Sequence, residues 1–473
     1  MNSTNKIRTL NDLKTPKGHL LLGNLKAFKK KDKHRKLEDW SKLYGALYTI
    51  RLGHIKALVS TDSEFNRTIL TQRPEGFRRL SKINEVLLEM GVQSVFNAEG
   101  ENWKRQRKIV AEALNVKKVK GFYPVINKRA TQLINKIETY SHSNDSVDII
   151  DDFISFTIDV TTEIAFGYQL DTVNKKSDSF QEHLELIFPL INERITAPLP
   201  LWRWFPNKRD RQLKDSLKSI EVIIQKCIEE AKIKVKNNPV LQEKPSNFLE
   251  ALLIESSKEE TVFDDKTLYG NVFAMLLAGE DTTSNTLSWT LYYLAQYPDV
   301  VSKIRTEAID VYQNNQVPEA FNQLSQLKYT SGAIQEAIRL KPTTPMLFFQ
   351  ANEATIIQDL KVPKDTLIIV QNGFGQIQDE HFSKPELYDP KRWLKNECPV
   401  YQNHSPKLVR AFGGGPRLCP GMNLSLAEMT TVISGICKHF DMELAVSKTE
   451  VHENFAFTVL PENLKIRFSK VSK

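Results

Sequence analysis

Cys419 stands in the run Ala411-Phe412-Gly413-Gly414-Gly415-Pro416-Arg417-Leu418-Cys419-Pro420-Gly421, a glycine-rich, proline-bounded loop leading into an apolar helical stretch. Glycines permit positive φ and let backbone approach a flat ligand, and an arginine two residues before the sulfur suits a carboxylate on that ligand's edge. Amides aimed at a thiolate set its basicity, and a thiolate axial to haem iron pushes electron density that favours O–O cleavage on the far side. These residue types point to a thiolate-ligated haem and to dioxygen chemistry. A lone cysteine is ordinarily a small buried hydrophobe, so the loop around it carries the argument.

Three further constellations could do chemistry or hold a ligand. Residues 271–283 read as an apolar helix interrupted by Glu280, Asp281 and Thr282. Buried polar groups are costly unless bonded, and a threonine hydroxyl that bonds the carbonyl four residues back can open a helix and hold water there. Glu336 and Arg339 share a helix face three residues apart; such a pair is worth only about 0.2–0.5 kcal/mol when exposed. Here its neighbours are apolar, and Asp389-Pro390-Lys391-Arg392-Trp393 supplies a second arginine. Trp103 and Arg107, at i and i+4, could aim an indole N–H and a guanidinium at one carboxylate.

Phe412, Gly415, Arg417, Cys419 and Gly421 match the pattern F-x-x-G-x-R-x-C-x-G. With the acid-alcohol helix and the Glu-Arg pair, the chain resembles the cytochrome P-450 haem-thiolate monooxygenases over nearly its whole length. The resemblance implies haem b with Cys419 as the metal ligand, bedded by Phe412, Gly415, Arg417 and Gly421, with Trp103 and Arg107 on a propionate. It implies that Ala278 and Gly279 bring helix backbone close to the iron, and that Asp281 and Thr282, beside Glu280, relay protons to dioxygen. Glu336, Arg339 and Arg392 would form a buried network fixing the segment before the cysteine loop. A lipophilic substrate would be lined by residues near Leu80 to Phe96, by Met275 and Ala278, by Thr343 to Leu347 including Thr344 and Met346, and by Ala456 and Phe457. Two positions depart from the pattern. Pro345 is followed by Met346-Leu347-Phe348-Phe349-Gln350 with no arginine, and Ile377-Gln378-Asp379 keeps only the acid of a common His-Arg-Asp. Either haem is held less tightly or other donors substitute. Two alternatives share the ligand: a peroxide-dependent peroxygenase or isomerase, and a non-catalytic haem-binding protein. The intact acid-alcohol pair favours the oxygenase.

The elements that must position these residues can be read from periodicity. Alternating stretches at Ala46–Leu52 and Lys56–Ser60, turned at Gly53-His54, predict paired strands after a short helix at Leu37–Tyr44, and 354–371 reads as a second strand-rich region. Residues from about 100 to 340 are mostly helical in period. No Pro/Gly/Ser-rich linker divides the 473 residues. The expected fold is mainly α with a smaller β-rich lobe (α+β), one large domain. Its helical lobe covers about 100–340 and 415–440, and its sheet-rich lobe about 45–75 and 345–375.

The four cysteines are scattered, which predicts no disulfide framework. The polar N-terminus lacks an h-region or an apolar run of eighteen, so the expectation is no transmembrane anchor and a cytoplasmic, bacterial-type monomer, or a chain whose anchor was removed. The net charge of +8 comes with basic clusters at 29–36 and 104–120 but no nucleic-acid motif. By the resemblance the second cluster faces an acidic electron donor. No G-x-G-x-x-G unit, flavin motif or iron–sulfur cysteine cluster is present. NAD(P)H electrons are therefore expected through a separate ferredoxin or flavodoxin and its reductase. Residues 198–205, rich in Trp and Leu, are read as a staple between helices rather than a membrane contact.

Overall fold

The computed structural model describes residues 7–143, 145–175, 179–197, 199–259, 263–394 and 403–471; Pro198 and Cys398 lie outside them. The helices that position the site are α1 (Lys33–Tyr44), α2 (Ser63–Thr71), α3 (Gly100–Ala113), α4 (Val116–Ser143), α5 (Ile149–Phe166), α6 (Asp265–Leu294), α7 (Lys328–Leu340) and α8 (Met422–His439). Their starts follow local chemistry. Asp148 accepts from the Ile150 amide to begin α5, and Asp264 accepts from the Thr267 amide at 2.8 Å to begin α6. Gly167, left-handed at φ 76°, ends α5. Helix α1 starts four residues earlier than its apolar period suggests, because Lys33 and His34 are buried rather than solvated.

At 30 residues, α6 spans about 45 Å. It crosses the molecule packed lengthwise on α5, whose apolar residues face inward almost all round. Helix α8 is similarly enclosed, between α4, α6 and α7. Two apolar cores result. One joins α4, α5, α7 and α8, and the other joins the first half of α6 to α3 and the helices between α5 and α6.

The smaller lobe is a five-stranded sheet of β1 (Leu47–Leu52), β2 (Ile55–Ser60), β3 (Phe77–Arg79), β4 (Met346–Ala351) and β5 (Leu367–Gln371), in the order β1-β2-β5-β4-β3. Only the β2–β5 pair is parallel. A late hairpin pairs β6 (His452–Phe455) with β7 (Val459–Glu462) in the register Phe455↔Val459 and leaves Ala456-Phe457-Thr458 as its turn. The fold is thus mainly helical with a smaller sheet lobe. Among the described residues no helix is long and apolar enough to cross a membrane.

The aromatic loop divides. Trp202 is a staple, donating to Glu89 at 2.9 Å beneath the Arg194 guanidinium. Trp204 and Phe205 are 62% and 77% exposed and staple nothing.

Candidate active site

The cysteine loop closes on itself, with the Cys419 amide donating to the Phe412 carbonyl at 2.9 Å. Gly415, at φ +63°, lies so near the end of α2 that a Cβ there would fall 2.5 Å from the Leu70 carbonyl oxygen. Only glycine meets both conditions. Burial pushes the Cys419 thiol up, and three groups oppose it: the amides of Gly421 and Met422, which donate to the sulfur, and the Arg107 guanidinium. Cys437 is buried in the core and pushed well above the ordinary thiol range, while Cys227 is raised by burial on the flank of a helix. Among the described cysteines, Cys419 is the one whose surroundings are built to stabilise a thiolate.

Beside the loop lies a cluster of guanidinium groups. Arg417 sits over the Trp103 ring at 4.6 Å, donates to the Ala98 carbonyl at 2.8 Å and pairs with Glu99. Arg73, buried, lies 3.7 Å from Glu99 and over the Phe349 ring, and Arg79 lies over Phe96. Burial, then repulsion by Arg79 and Arg417, pushes Arg73 down; Arg79, Arg107 and Arg417 are lowered by burial as well. Arg73, Arg79 and Arg417 thus gather around Glu99, and Arg107 stands next to them beside Cys419. The Nε and Nη2 of Arg73 and the Nε of Arg417 are buried and make no hydrogen bond among the described residues. Orphaned donors in excess positive charge are what a dianionic carboxylate edge would satisfy, so this donor set, with a thiolate beside it, fits haem. Arg73 and Arg79 are the donors that sequence reasoning missed. They answer the arginine absent after Pro345, and the available signal is Arg73-Pro74-Glu75-Gly76-Phe77-Arg78-Arg79, three arginines in a seven-residue Pro/Gly-containing run.

On α6, the Thr282 hydroxyl donates to the Ala278 carbonyl at 2.7 Å, the back-bond that loosens a helix turn. Ala278 is exposed within an otherwise packed stretch. A Cβ on Gly279 would fall 2.3 Å from Cγ2 of Thr161, so this glycine lets α6 lie against α5. Burial pushes the Asp281 carboxyl up to about 6, opposed by a hydrogen bond from Thr458. Glu280 is buried about 100° around the helix from Asp281, among packing contacts, and the two acids do not converge.

Glu336 lies at the centre of a closed network. Its carboxylate accepts from Arg339 Nε and Nη2 at 2.9 and 2.7 Å, from Arg392 Nε at 3.0 Å and from Trp393 Nε1 at 3.0 Å. Arg339 also donates to the Gln376 and Leu387 carbonyls, and Arg392 to that of Lys384, which ties the segment ahead of the cysteine loop to α7.

Of the expected pocket residues, Met275 and Phe457 both pack against the apolar cluster that also takes Leu80, Phe96 and Phe348. Thr344 is half-buried in the approach to β4. Met346 belongs to a neighbouring cluster that shares Leu80 and Phe348 with this one. It is buried with Trp40, Tyr48, Trp289 and Ile369 beneath the sheet, and Phe348, two residues on, reaches both clusters. The basic cluster on α3 and α4 is partly spoken for. Lys104 pairs with Glu101 and Glu75, Lys108 with Glu259 and Lys118 with Glu255, while Arg105, Lys117 and Lys120 are exposed.

Residues 13–468 match the model of the family described as cytochrome P-450. Relatives include cytochrome P-450 3A30 of Fundulus heteroclitus, 26% identical over 88% of this chain and 83% of its own. Probable cytochrome P-450 519E1 of Dictyostelium discoideum is 25% identical over 98% and 95%. Tabersonine 16-hydroxylase 1 of Catharanthus roseus is 26% identical over 94% and 88%.

Proposed function

The chain belongs to the cytochrome P-450 family and is a haem-thiolate monooxygenase, in which we propose that Cys419 holds the iron, Arg73, Arg79, Arg107 and Arg417 with Trp103 hold the propionates, and Asp281 and Thr282 manage protons. The observation that carries the assignment is Cys419 itself, a half-buried sulfur receiving two amide hydrogen bonds beside a guanidinium cluster short of negative charge. When bound, haem supplies dioxygen activation. The chain's own residues do the rest. The amides of Gly421 and Met422 fix the basicity of the sulfur, and the Arg cluster fixes the macrocycle's edge. The Thr282 back-bond to Ala278 leaves room for a water on the open side of α6. Asp281, titrating at about 6, changes protonation near neutral pH and is matched to passing protons inward. The apolar side chains of Leu80, Phe96, Met275, Phe348 and Phe457 favour a lipophilic substrate and exclude water.

Electrons come from a separate redox partner. A ferredoxin or flavodoxin, with its NAD(P)H reductase, suits the exposed Arg105, Lys117 and Lys120 by charge. The reduced, carbon-monoxide-bound difference spectrum of the purified protein tests the ligand. A strongly red-shifted Soret band, absent in Cys419→Ser, is expected; an unshifted band in folded protein overturns the assignment. Thr282→Ala should retain that band and divert dioxygen from product to peroxide.

A further inference from the structure

Three residues along one face of α6 are bonded to one turn of chain. Asp281, Asn285 and Trp289 stand at i, i+4 and i+8, so they share a stripe. Asp281 Oδ2 accepts from the Thr458 hydroxyl at 3.1 Å, Asn285 Nδ2 donates to the same hydroxyl oxygen at 2.9 Å, and Trp289 Nε1 donates to the Val459 carbonyl at 3.0 Å. We propose that Thr458, on the turn of the late hairpin and held by Asn285, is the positioning residue for the Asp281 carboxylate.

The direction of the chain follows from proton inventory. A hydroxyl has one hydrogen and two lone pairs. With one lone pair of Thr458 taken by the Asn285 amide, its hydrogen is left to point at Asp281. Thr458 and Asn285 are buried, so neither has water as an alternative partner. The series amide to hydroxyl to carboxylate is therefore polarised toward the ionised acid and favours it. Burial raises the Asp281 carboxyl and this hydroxyl opposes the rise.

The turn is held in place at both ends. The Val459 amide donates to the Thr343 carbonyl at 2.8 Å, and the Ala456 amide to the Thr458 carbonyl at 3.0 Å. At the root of the hairpin, Glu453 accepts from His34 at 2.8 Å, Arg35 at 2.7 Å and Lys341 at 2.6 Å. A hydroxyl carried on so constrained a turn gives the acid one orientation. Phe457, one residue before Thr458, packs on the apolar cluster that also takes Met275, so the same turn carries a pocket side chain and the acid's anchor.

This rests on Asp281 being the proton-handling acid, and the test separates the two claims. In haem-loaded protein, the infrared carboxyl band lost in Asp281→Asn identifies the group. Its titration is followed in Thr458→Val, which keeps shape and loses the hydroxyl, and in Thr458→Ser, which restores it. The pH profile of dioxygen consumption is read in parallel with a surrogate ferredoxin and its reductase. Expected is an upward shift of about one pH unit in both readouts for Thr458→Val, reversed by Thr458→Ser. An unshifted titration and profile in folded Thr458→Val, with Asp281→Asn altering the profile, overturns the positioning role alone. An unaltered profile in Asp281→Asn overturns the role of the acid itself.

Discussion

Two buried arginine clusters flank the cysteine loop, and they are built on opposite plans. Around Glu336, Arg339 and Arg392 spend their donors on one carboxylate and on the carbonyls of Gln376, Leu387 and Lys384. Around Glu99, Arg73, Arg79 and Arg417 converge, Arg73 and Arg417 keep unbonded donors, and burial and mutual repulsion press their basicity down. A cluster closed by the chain's own acceptors fixes the fold. A cluster left short of negative charge is prepared for a ligand.

The largest expected effect tests the closed cluster. Glu336→Gln leaves two buried guanidiniums uncompensated and should lower the unfolding free energy by about 3–5 kcal/mol in denaturant titration, with haem content falling in step. Asp281 is the acidic counterpart of the open cluster, a half-buried charge with incomplete compensation. Its carboxyl is raised from 3.8 to about 6, so the folded state takes up a proton before the unfolded state does, and the ionised acid destabilises the fold above pH 6. Asp281→Asn should therefore raise the unfolding free energy by about 3 kcal/mol at pH 8 and leave it near wild type at pH 4. Third, Arg73→Leu should stabilise the haem-free protein by roughly 1–3 kcal/mol while weakening haem retention, a reversal of sign that the closed cluster cannot show. The smallest is the surface control. Lys104→Ala breaks exposed pairs with Glu101 and Glu75 and should shift stability by less than about 0.5 kcal/mol.

Features encoded in contiguous residues are legible in the amino-acid sequence itself. The loop 411–421, the helix-borne acid and alcohol, the Glu336–Arg339 spacing and the β1–β2 hairpin all follow from short-range chemistry, and the family shares the main architecture. Features made by distant approach are not. Arg73 meets the cysteine loop across more than three hundred residues, and Thr458 meets Asp281 across 177, with nothing in either stretch to name its partner. Gly279 is legible as a close approach, but which neighbour approaches is set by helix packing, and it is Thr161. Met346 is buried beneath the sheet because a strand's burial depends on what lies beneath each face, which alternation alone does not reveal. The aromatic loop splits for the same reason: Glu89 is there to receive Trp202, while Trp204 and Phe205 lie exposed.

The difference between the two clusters is most directly tested by titrating haem-free protein with hemin and with its dimethyl ester, whose carboxylates are blocked. If the open cluster is a propionate site, the ester should bind at least about 100-fold more weakly, and Arg73→Leu should narrow that gap by weakening hemin alone. Equal affinity for the two, in protein that still ligates iron through Cys419, would contradict it.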